Sequence, residues 1–330
     1  MKLTAIIPID LSQRPFDIIN KARRLARVAE NSEIFIVFGH NDRGSLADAI
    51  FQRSMRGYRR TTISSQAFNT ATVNASRLRN LAFSYVSTEY LLLLDVDIWP
   101  DFDLIFRHVE NLKDGSDFSI LPCVYLTQLG SQALQKKETT TAELTSKFFE
   151  FSRKEFLHLA SPSSVTVLKT SDYERLGGFD EEFIGHGYED FDFLIRLADL
   201  YNRIPNSSDF LDERVARSPL FSVGFRKHLG KLCFESLINK DFTFHLHHRK
   251  PQKSSYYDAR KSNSQIFKTK HAFRAGDELN NETTLIKEFV DYCEVSGLSV
   301  HDYSVLFDNK PGHIDRTDTL KRRLRFVLNG

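Results

Sequence analysis

The sequence contains few cysteines and no excess of charge of either sign. Its three cysteines, Cys123, Cys233 and Cys293, lie far apart among 330 residues, without a C-x-x-C spacing. This argues against a zinc knuckle and a disulfide framework, and it favours a reducing compartment. Lys and Arg number 45 against 43 Asp and Glu, a net charge of +2. Because this balance gives no strong field over the whole surface, we expect no nucleic-acid partner and only local electrostatic function.

Long apolar runs are also lacking. No stretch approaches the roughly 18 apolar residues of a membrane span, and the apolar segment after Lys2 is shorter than the core of a signal peptide. We therefore expect a cytoplasmic protein. The basic amphipathic segment at residues 319–328 leaves peripheral attachment to the inner face of the cell membrane open, with an ordinary surface helix as the alternative.

Hydrophobic residues make up 41% of the chain, enough for a sizeable core. Their spacing predicts strands at residues 3–9, 33–38, 61–64, 90–94, 118–124, 164–168 and 242–248. It predicts helices at residues 16–29, 72–86, 171–176, 189–201 and 284–295, and loops in the polar stretch 132–145 and the basic stretch 249–274. This alternation predicts an α/β fold with a doubly wound, mostly parallel Rossmann-like sheet, in which ligands bind at the carboxyl ends of strands.

Two acids, Asp95 and Asp97, follow the apolar run LLLL at residues 91–94, where a buried strand leaves the core. A pair of strand-end carboxylates can hold a hard divalent cation such as Mg²⁺ or Mn²⁺ and bridge it to a diphosphate. The alternative is a turn at residues 99–101 that keeps the acids solvated. Trp99, the one tryptophan, can stack on a sugar beside such a site or pack in the core.

A second acidic block, GHGYEDFD, spans residues 185–192. Its glycines permit close approach of the backbone to a ligand. Glu189 and Asp190 begin a predicted helix, where the helix dipole favours an ionised carboxylate that can act as a general base toward a substrate hydroxyl. The alternative is an ordinary helix start with acids in its first turn.

Three histidines, His245, His247 and His248, fall within four positions of a predicted strand. Imidazole is a good ligand for Mn²⁺ beside carboxylates, so the cluster favours Mn²⁺ over Mg²⁺. On a strand, His245 and His247 share one face while His248 points away.

Taken in order, the blocks SRLRNLAF (residues 76–83), LLLLDVD (91–97), GGFDEEFIGHGYEDFDFLIRL (177–197) and FHLHH (244–248) resemble glycosyltransferases of the GT-A fold. The likeness is greatest to bacterial capsule and chondroitin-polymerase-type enzymes, with the GxGxED block of galactosyltransferases. It implies a GT-A catalytic domain at residues 1–248, with a nucleotide-binding half at about 1–101 and an acceptor-binding half at about 102–248. Residues 249–330 then form a basic lid and a mainly helical C-terminal extension.

The resemblance assigns roles to the first two blocks and to the histidines. It implies that Arg79, with Arg77 as the near alternative, contacts the nucleotide. It implies that Asp97 is the direct metal ligand and that Asp95 contacts the donor ribose or the metal shell. A late histidine completes the metal site of the family; His245 aligns best, and His247 or His248 is the alternative.

In the GxGxED block, the resemblance implies that Asp190 is the catalytic base. Glu189, with Gly187 and Tyr188, is implied to bind the acceptor or donor sugar. His186 stands where galactosyltransferases have tryptophan, so the acceptor sugar is left open.

The nucleotide site departs from the family pattern. Enzymes of this type have an acid soon after the second strand to bind uracil, whereas this chain has FGHND at residues 38–42, in which Asp42 is displaced. The end of the first strand supplies further donor-binding candidates in Pro8, Asp10 and Arg14.

These patterns predict a metal-dependent inverting glycosyltransferase. The expected donor is a UDP-sugar, the cofactor Mn²⁺ or Mg²⁺, and the acceptor an oligosaccharide or lipid-linked glycan of a growing bacterial surface polysaccharide, capsule or lipopolysaccharide. Two alternatives stay open: a non-catalytic sugar-nucleotide-binding subunit of a glycan assembly complex, and a metal-dependent phosphoesterase. A phosphoesterase leaves the GHGYED block unexplained.

Overall fold

A computed structural model describes residues 2–68, 72–216, 218–248, 255–276 and 284–308. Its contacts divide the chain into two compact units that interleave along the sequence. The first consists of Met1–Ser119, Ser164–Arg203 and Pro251–His271, and the second of Ile120–Ser163, Ile204–Lys250 and Ala272–Gly330. The predicted domains, residues 1–248 and 249–330, are each one continuous segment of the sequence. This division stays a prediction. The amphipathic segment 319–328 lies outside the described residues.

The described residues form nine strands. In chain order they are β1 (Leu3–Ile9), β2 (Ile34–Asn41), β3 (Thr61–Gln66), β4 (Tyr90–Leu93), β5 (Ser119–Ile120), β6 (Cys123–Leu126), β7 (Phe156–Ala160), β8 (Thr166–Lys169) and β9 (Thr243–His245).

The same residues form thirteen α-helices and three 3₁₀ helices. The α-helices are α1 (Pro15–Glu30), α2 (Leu46–Met55), α3 (Ala75–Phe83), α4 (Phe102–Lys113), α5 (Gln128–Gln135), α6 (Thr141–Phe149), α7 (Thr170–Leu176), α8 (Glu189–Asp199), α9 (Phe225–Lys231), α10 (Phe234–Ile238), α11 (Ser255–Asp258), α12 (Arg260–Lys270) and α13 (Leu285–Val295). The 3₁₀ helices are Pro219–Phe221, Ala272–Arg274 and Val300–Phe307.

A six-stranded sheet has the order β3-β2-β1-β4-β8-β5. The β1–β2, β1–β4 and β2–β3 pairs are parallel, and β4–β8 is antiparallel. Strand β4 is buried along its whole length, which explains its unbroken apolar run. The predicted α/β class with a mostly parallel sheet is confirmed. Parallel pairing places the carboxyl ends of β1, β2 and β4 at one edge of the sheet.

An apolar cluster in the first unit fixes α8 against this sheet. Leu91 of β4 and Leu168 of β8 belong to the same buried cluster as Phe193 of α8. The rings of Phe179 and Phe193 stack with centroids 4.3 Å apart, and Tyr173 lies beside both. The acids at the start of α8 therefore begin a firmly packed element.

The second unit contains a three-stranded sheet with the order β7-β6-β9. Strand β6 pairs antiparallel with β7 and parallel with β9. The ring of Tyr125 stacks between the imidazoles of His158 and His245, with centroids 4.2 and 4.1 Å away. This stack holds the side chain of His245 at the end of its strand.

Two predicted loops are helical, and these predictions were wrong. The stretch 132–145 contains the end of α5 and the start of α6, whose N-terminus is a capping box of Thr140 and Glu143. The basic stretch contains α11 and α12, and the only buried side chains of α12 are Asn263 and Phe267. So few buried positions leave no apolar period to detect. The helical character of the C-terminal region is confirmed over α13 and Val300–Phe307.

Within the described part of the chain, no helix combines the length and the apolar character needed to cross a bilayer.

Candidate functional site

A buried arginine joins two of the predicted acidic motifs. Arg79 of α3 is 2% exposed, and its Nη2 donates to Oδ1 of Asp95 at 2.9 Å. Its Nη1 lies 3.4 Å from Oδ1 of Asp190, and its guanidinium is 4.7 Å from the ring centre of Phe179. The second oxygen of Asp95 accepts from the hydroxyl of Ser164 at 2.9 Å. The structure therefore brings together the predicted Arg79, Asp95 and Asp190, and it adds Ser164, which the sequence analysis missed.

The charges of this cluster shift the protonation of its members. Burial alone lowers the pKa of Arg79, but the carboxylates of Asp190 and Asp95 outweigh it and raise the pKa, so this arginine stays charged. Burial raises the pKa of Asp190 to about 6 against the opposing charge of Arg79. Burial and the neighbouring charge of Asp190 raise the pKa of Glu189 to about 8. At neutral pH, Asp190 is mostly ionised while Glu189 is mostly a neutral acid.

The loop before α8 has an unusual backbone. Gly185, Gly187 and Tyr188 all have positive φ, at 80°, 98° and 76°. Tyr188 precedes the first helical residue and makes no side-chain capping hydrogen bond within the described chain. Helices α1 and α7 also begin without a side-chain cap, so the three residues of positive φ rather than the missing cap distinguish the start of α8.

The two acids differ in their access to solvent. The side chain of Asp190 is 32% exposed, so a ligand can reach it. Glu189 is 5% exposed, and its buried Oε2 has no hydrogen-bond partner among the residues that the structure describes. A buried polar atom of this kind is costly unless a ligand or water completes it.

Asn80 explains the paired glycines and was missed as a site residue. Its Nδ2 donates to the carbonyl of Phe179 at 2.9 Å, while its Oδ1 accepts from the hydroxyl of Tyr173 at 2.7 Å. Gly178 has φ of +77°, and a Cβ there would lie 2.4 Å from Oδ1 of Asn80. The asparagine of the SRLRNLAF block thus fixes the GGF turn against α3.

The charge of Asp97 is balanced by two basic side chains. Arg14 donates from Nη1 and Nη2 to its two oxygens at 3.1 and 2.9 Å. The Nζ of Lys21 lies 2.6 Å from Oδ1, and Asp97 and Lys21 are 6% and 3% exposed. The predicted Arg14 and Asp97 are therefore brought together. Lys21 was missed, although its position four residues after Asp17, to which it also binds, was a signal.

The predicted nucleotide acids lie at the ends of β1 and β2. Oδ2 of Asp10 accepts from Asn41 at 2.8 Å and from Arg43 at 3.1 Å. Asp42 instead accepts from Gln52 at 2.6 Å and from a backbone N–H two residues onward. In the structure Asp42 stabilises the turn after β2, whereas its neighbours Asn41 and Arg43 bind Asp10.

The other predicted donor residues have separate surroundings. Pro8 lies in β1, opposite Gly39 of β2. The guanidinium of Arg77 lies 4.1 Å from the ring centre of Phe68. Trp99 is partly buried, with the guanidinium of Arg24 at 5.0 Å.

In the second unit, two histidines lie close together. The rings of His245 and His248 have centroids 5.4 Å apart, and a ring nitrogen of each lies within 4.8 Å of the other. His247 donates its backbone N–H to the hydroxyl of Ser131 at 2.7 Å. The expectation that His248 points away from His245 was wrong, because strand β9 ends at His245 and strand alternation stops there.

The sequence as a whole matches a known family. A model described as "Glycosyltransferase like family 2" matches residues 4–273. The chain belongs to this family. Membership confirms the predicted enzyme class, a glycosyltransferase, and with the mostly parallel sheet it confirms the predicted GT-A fold. No curated protein shows significant sequence similarity to the chain.

Solved glycosyltransferases resemble the chain more distantly. S. aureus TarS 1–349 in complex with UDP-GlcNAc is 12% identical, covering 99% of this chain and 79% of that one, with a TM-score of 0.43. Glucosyl-3-phosphoglycerate synthase from Mycobacterium tuberculosis, in complex with Mn²⁺, UDP and glucosyl-3-phosphoglycerate, is 9% identical, with coverages of 84% and 81% and a TM-score of 0.40. The catalytic domain of Drosophila β1,4-galactosyltransferase 7 with xylobiose is 14% identical, with a TM-score of 0.31, and the match covers 60% of this chain and 61% of that one. The chain is assigned to its family by the match over residues 4–273 and not by these structures.

Proposed function

We propose that the chain is an inverting, metal-dependent glycosyltransferase that moves a sugar from a UDP-sugar to a growing bacterial surface polysaccharide, capsule or lipopolysaccharide. The acceptor is an oligosaccharide or a lipid-linked glycan, and the reaction takes place in the cytoplasm or at the inner face of the membrane. The observation that carries the proposal is Asp190, a reachable carboxylate whose pKa is raised to about 6 beside the buried Arg79.

Asp190 is the proposed base. As it takes the proton from the acceptor hydroxyl, that oxygen forms a bond to the anomeric carbon of the donor from the face opposite the diphosphate. The bond from the anomeric carbon to the diphosphate oxygen breaks, and UDP leaves with the bonding electron pair. Attack from the opposite face inverts the anomeric centre. Arg79 holds Asp190 in place and favours its ionised form.

Glu189 is the proposed sugar-binding residue. A neutral carboxylic acid has one O–H donor and keeps acceptor capacity. The buried Oε2 of Glu189, unpartnered among the described residues, is therefore suited to a sugar hydroxyl, which can both donate and accept. Gly187 and Tyr188 are proposed to contact the same sugar through the loop backbone.

Asp97, His245 and His248 are the proposed ligands of a divalent cation. The donor chemistry fits, because one carboxylate and two imidazoles form a mixed oxygen and nitrogen set suited to Mn²⁺, and the two imidazoles already lie close together. When bound, the cation neutralises charge on the departing diphosphate. Asp95 is proposed to contact the donor ribose or the metal shell, and Asp10 with Asn41 to contact the base.

The test is a binding screen of UDP-sugars by thermal shift, with and without Mn²⁺, followed by detection of the transferred sugar. Free ligand at about 100-fold over its Kd stabilises the folded protein by about 2.7 kcal/mol, so one UDP-sugar should raise Tm in the presence of Mn²⁺. Binding of UDP-sugars without transfer to any acceptor would instead identify a binding subunit. Hydrolysis of phosphate esters without an acceptor would identify a phosphoesterase.

A further inference from the structure

Helix α12 holds the loop that precedes the proposed base. The side chain of Asn263 is 2% exposed, and its single amide group donates to two backbone carbonyls of that loop. The acceptors are the carbonyl of Ile184 at 3.0 Å and the carbonyl of Gly187 at 2.9 Å. These two carbonyls lie on either side of Gly185 and His186, and Gly187 directly precedes the left-handed Tyr188. The amide of Asn263 thus closes the loop into one defined conformation.

The backbone of the loop is held by two further segments of the same unit. The N–H of His186 donates to the carbonyl of Tyr256 at 2.8 Å, and the N–H of Gly185 donates to the carbonyl of Val73 at 2.8 Å. Val73 lies two residues before α3, the helix that carries Arg79. The loop therefore lies between the helix of the buried arginine and the segment that carries Asn263.

Polar contacts at the C-terminal end of α12, made by Lys270 and by His271 directly after it, connect the helix to both sides of the loop. The Nζ of Lys270 lies 2.6 Å from Asp180 and 2.7 Å from Glu182, before the loop. Nε2 of His271 lies 3.0 Å from Asp192, in the first turn of α8 after the loop. The helix that carries Asn263 is thus bound to residues on both sides of the loop, before it and after it.

We propose that Asn263 is a positioning residue for Asp190, acting through the carbonyls of Ile184 and Gly187. This inference rests on the proposed function, because it takes Asp190 as the base. Without the amide, the carbonyls of Ile184 and Gly187 lose this donor, and the loop relaxes to recover hydrogen bonds elsewhere. The left-handed Tyr188 then no longer directs Asp190 toward Arg79. Such a loss affects the chemical step more than donor binding, because the nucleotide candidates lie on other elements.

The test compares two variants with a matched control in the full chain. Asn263→Ser shortens the side chain and keeps at most one donor, while Asn263→Asp keeps the shape and places a carboxylate against two carbonyls. The control, Asn31→Asp, makes the same change at an exposed asparagine whose Nδ2 donates to the carbonyl of Arg27 at 3.3 Å. The readouts are kcat, the donor KM, the pH dependence of kcat, and amide hydrogen exchange at residues 184–188.

Asn263→Ser should lower kcat by about 10- to 100-fold, the cost of a base misplaced by about 1 Å, with donor KM nearly unchanged. The acidic limb of its pH profile should move to higher pH, because Asp190 loses part of the opposing charge of Arg79. Exchange at residues 184–188 should accelerate, which can be measured even if activity is lost. Asn31→Asp should change none of these.

Wild-type kcat and unaltered exchange in both Asn263 variants would overturn the inference. So would an equal loss of donor binding and turnover, because that would indicate a general structural role. If Asn263→Asp does not fold, Asn263→Ser supports the same comparison. A wild-type chain that transfers no sugar at all would contradict the proposed function, whereas slow exchange at the loop in the Asn263 variants would contradict only this inference.

Discussion

The two strand-end acids of the DVD motif, residues 95–97, bind different basic side chains. Asp95 binds Arg79, and Asp97 binds Lys21 and Arg14. Because Lys21 is 3% exposed, its ammonium depends on carboxylates for compensation inside the protein. Asp97 thus has a structural role whether or not it also binds a metal ion.

Replacing Asp97 should therefore destabilise the protein. Asp97→Asn leaves the buried Lys21 with the half-exposed Asp17 as its one carboxylate partner among the described residues, and we expect a loss of roughly 3 kcal/mol in the free energy of unfolding. The double variant with Lys21→Met should recover most of it, because the uncompensated charge is gone. Urea unfolding measures both. A cost below about 0.5 kcal/mol for Asp97→Asn, the usual value at an ordinary surface position, would contradict this account.

The pH dependence of activity should report Asp190. Its raised pKa of about 6 means that the carboxylate gains a proton as the pH falls through 6, and a protonated acid cannot accept the proton of the acceptor. We expect kcat to fall about tenfold per pH unit below that value and to be steady just above it. Because Glu189 lies beside Asp190, the apparent pKa of this acidic limb of the rate profile describes the pair of carboxyl groups.

A rate profile flat down to pH 4 would show that no group with a raised pKa is required. Glu189→Gln is the matched variant, because an amide keeps the shape but cannot ionise. It should leave the apparent pKa of the limb near 6, because Glu189, whose own pKa is raised to about 8, is already uncharged where Asp190 titrates.

At this scale the sequence indicated candidate residues more readily than the partners that these residues contact. The resemblance named Arg79, Asp95 and Asp190, but Arg79 and Asp190 are far apart in the chain, and no local pattern reveals that they form an ion pair. Lys21 and Asn263 escaped because each is a single polar residue of a helix, and no local pattern indicates that it is buried. Their importance depends on burial, which sequence alone does not give.

At the scale of the elements, close packing in the loop before α8 (residues 185–188, GHGY) restricts which residue types fit there. A Cβ at Gly185 would lie 2.6 Å from Cβ of Ala259 and 2.8 Å from the carbonyl oxygen of Tyr256. The loop therefore approaches α11 and α12 as closely as a glycine allows.

Gly185→Ala should destabilise the protein more than a change at a comparable glycine. Gly177→Ala is the matched control, because Gly177 also has positive φ, +69°, but has open space around its Cβ position. The control should cost about 1–2 kcal/mol from backbone strain alone. Gly185→Ala should cost about 1–3 kcal/mol more from overpacking, and it should also lower kcat. Equal costs in thermal unfolding would show that the loop tolerates displacement.

Strands were easier to predict than polar helices. Strands β1, β2 and β4 are rich in apolar residues because the sheet buries them. Helices α6 and α12 lie in polar stretches that read as loops, yet α6 begins with the capping-box signal of Thr140 and Glu143. That signal was available in the sequence. For α12 no comparable signal existed, because tertiary contacts of Asn263 and Phe267 stabilise it.

On the scale of the whole molecule, each compact unit contains its own group of candidate residues. The first contains the Arg79 cluster and the loop before α8, and the second contains His245 at the end of β9 with His247 and His248 after it. Family membership establishes the enzyme class, while the donor, the acceptor and the metal follow only from the proposal.

Metal binding should distinguish the neighbouring histidines. His248→Ala should weaken Mn²⁺ binding by more than about tenfold, because even partners outside the ligand shell cost that much. His247→Ala is the control, since its backbone N–H keeps the bond to Ser131 without the imidazole. Isothermal titration with Mn²⁺ measures both. A greater loss in His247→Ala, or no loss in either, would contradict the assignment of His248.

The most direct test of the central claim is the turnover of Asp190→Asn with a donor that binds the wild-type chain. Asp103→Asn is the control, because Asp103 is likewise an acid in the first turn of a helix but lies exposed on α4. We predict that Asp190→Asn lowers kcat by about 10²- to 10⁴-fold, the usual share of a general base, while the UDP-sugar thermal shift is retained. Full turnover by Asp190→Asn with normal donor binding would contradict the account.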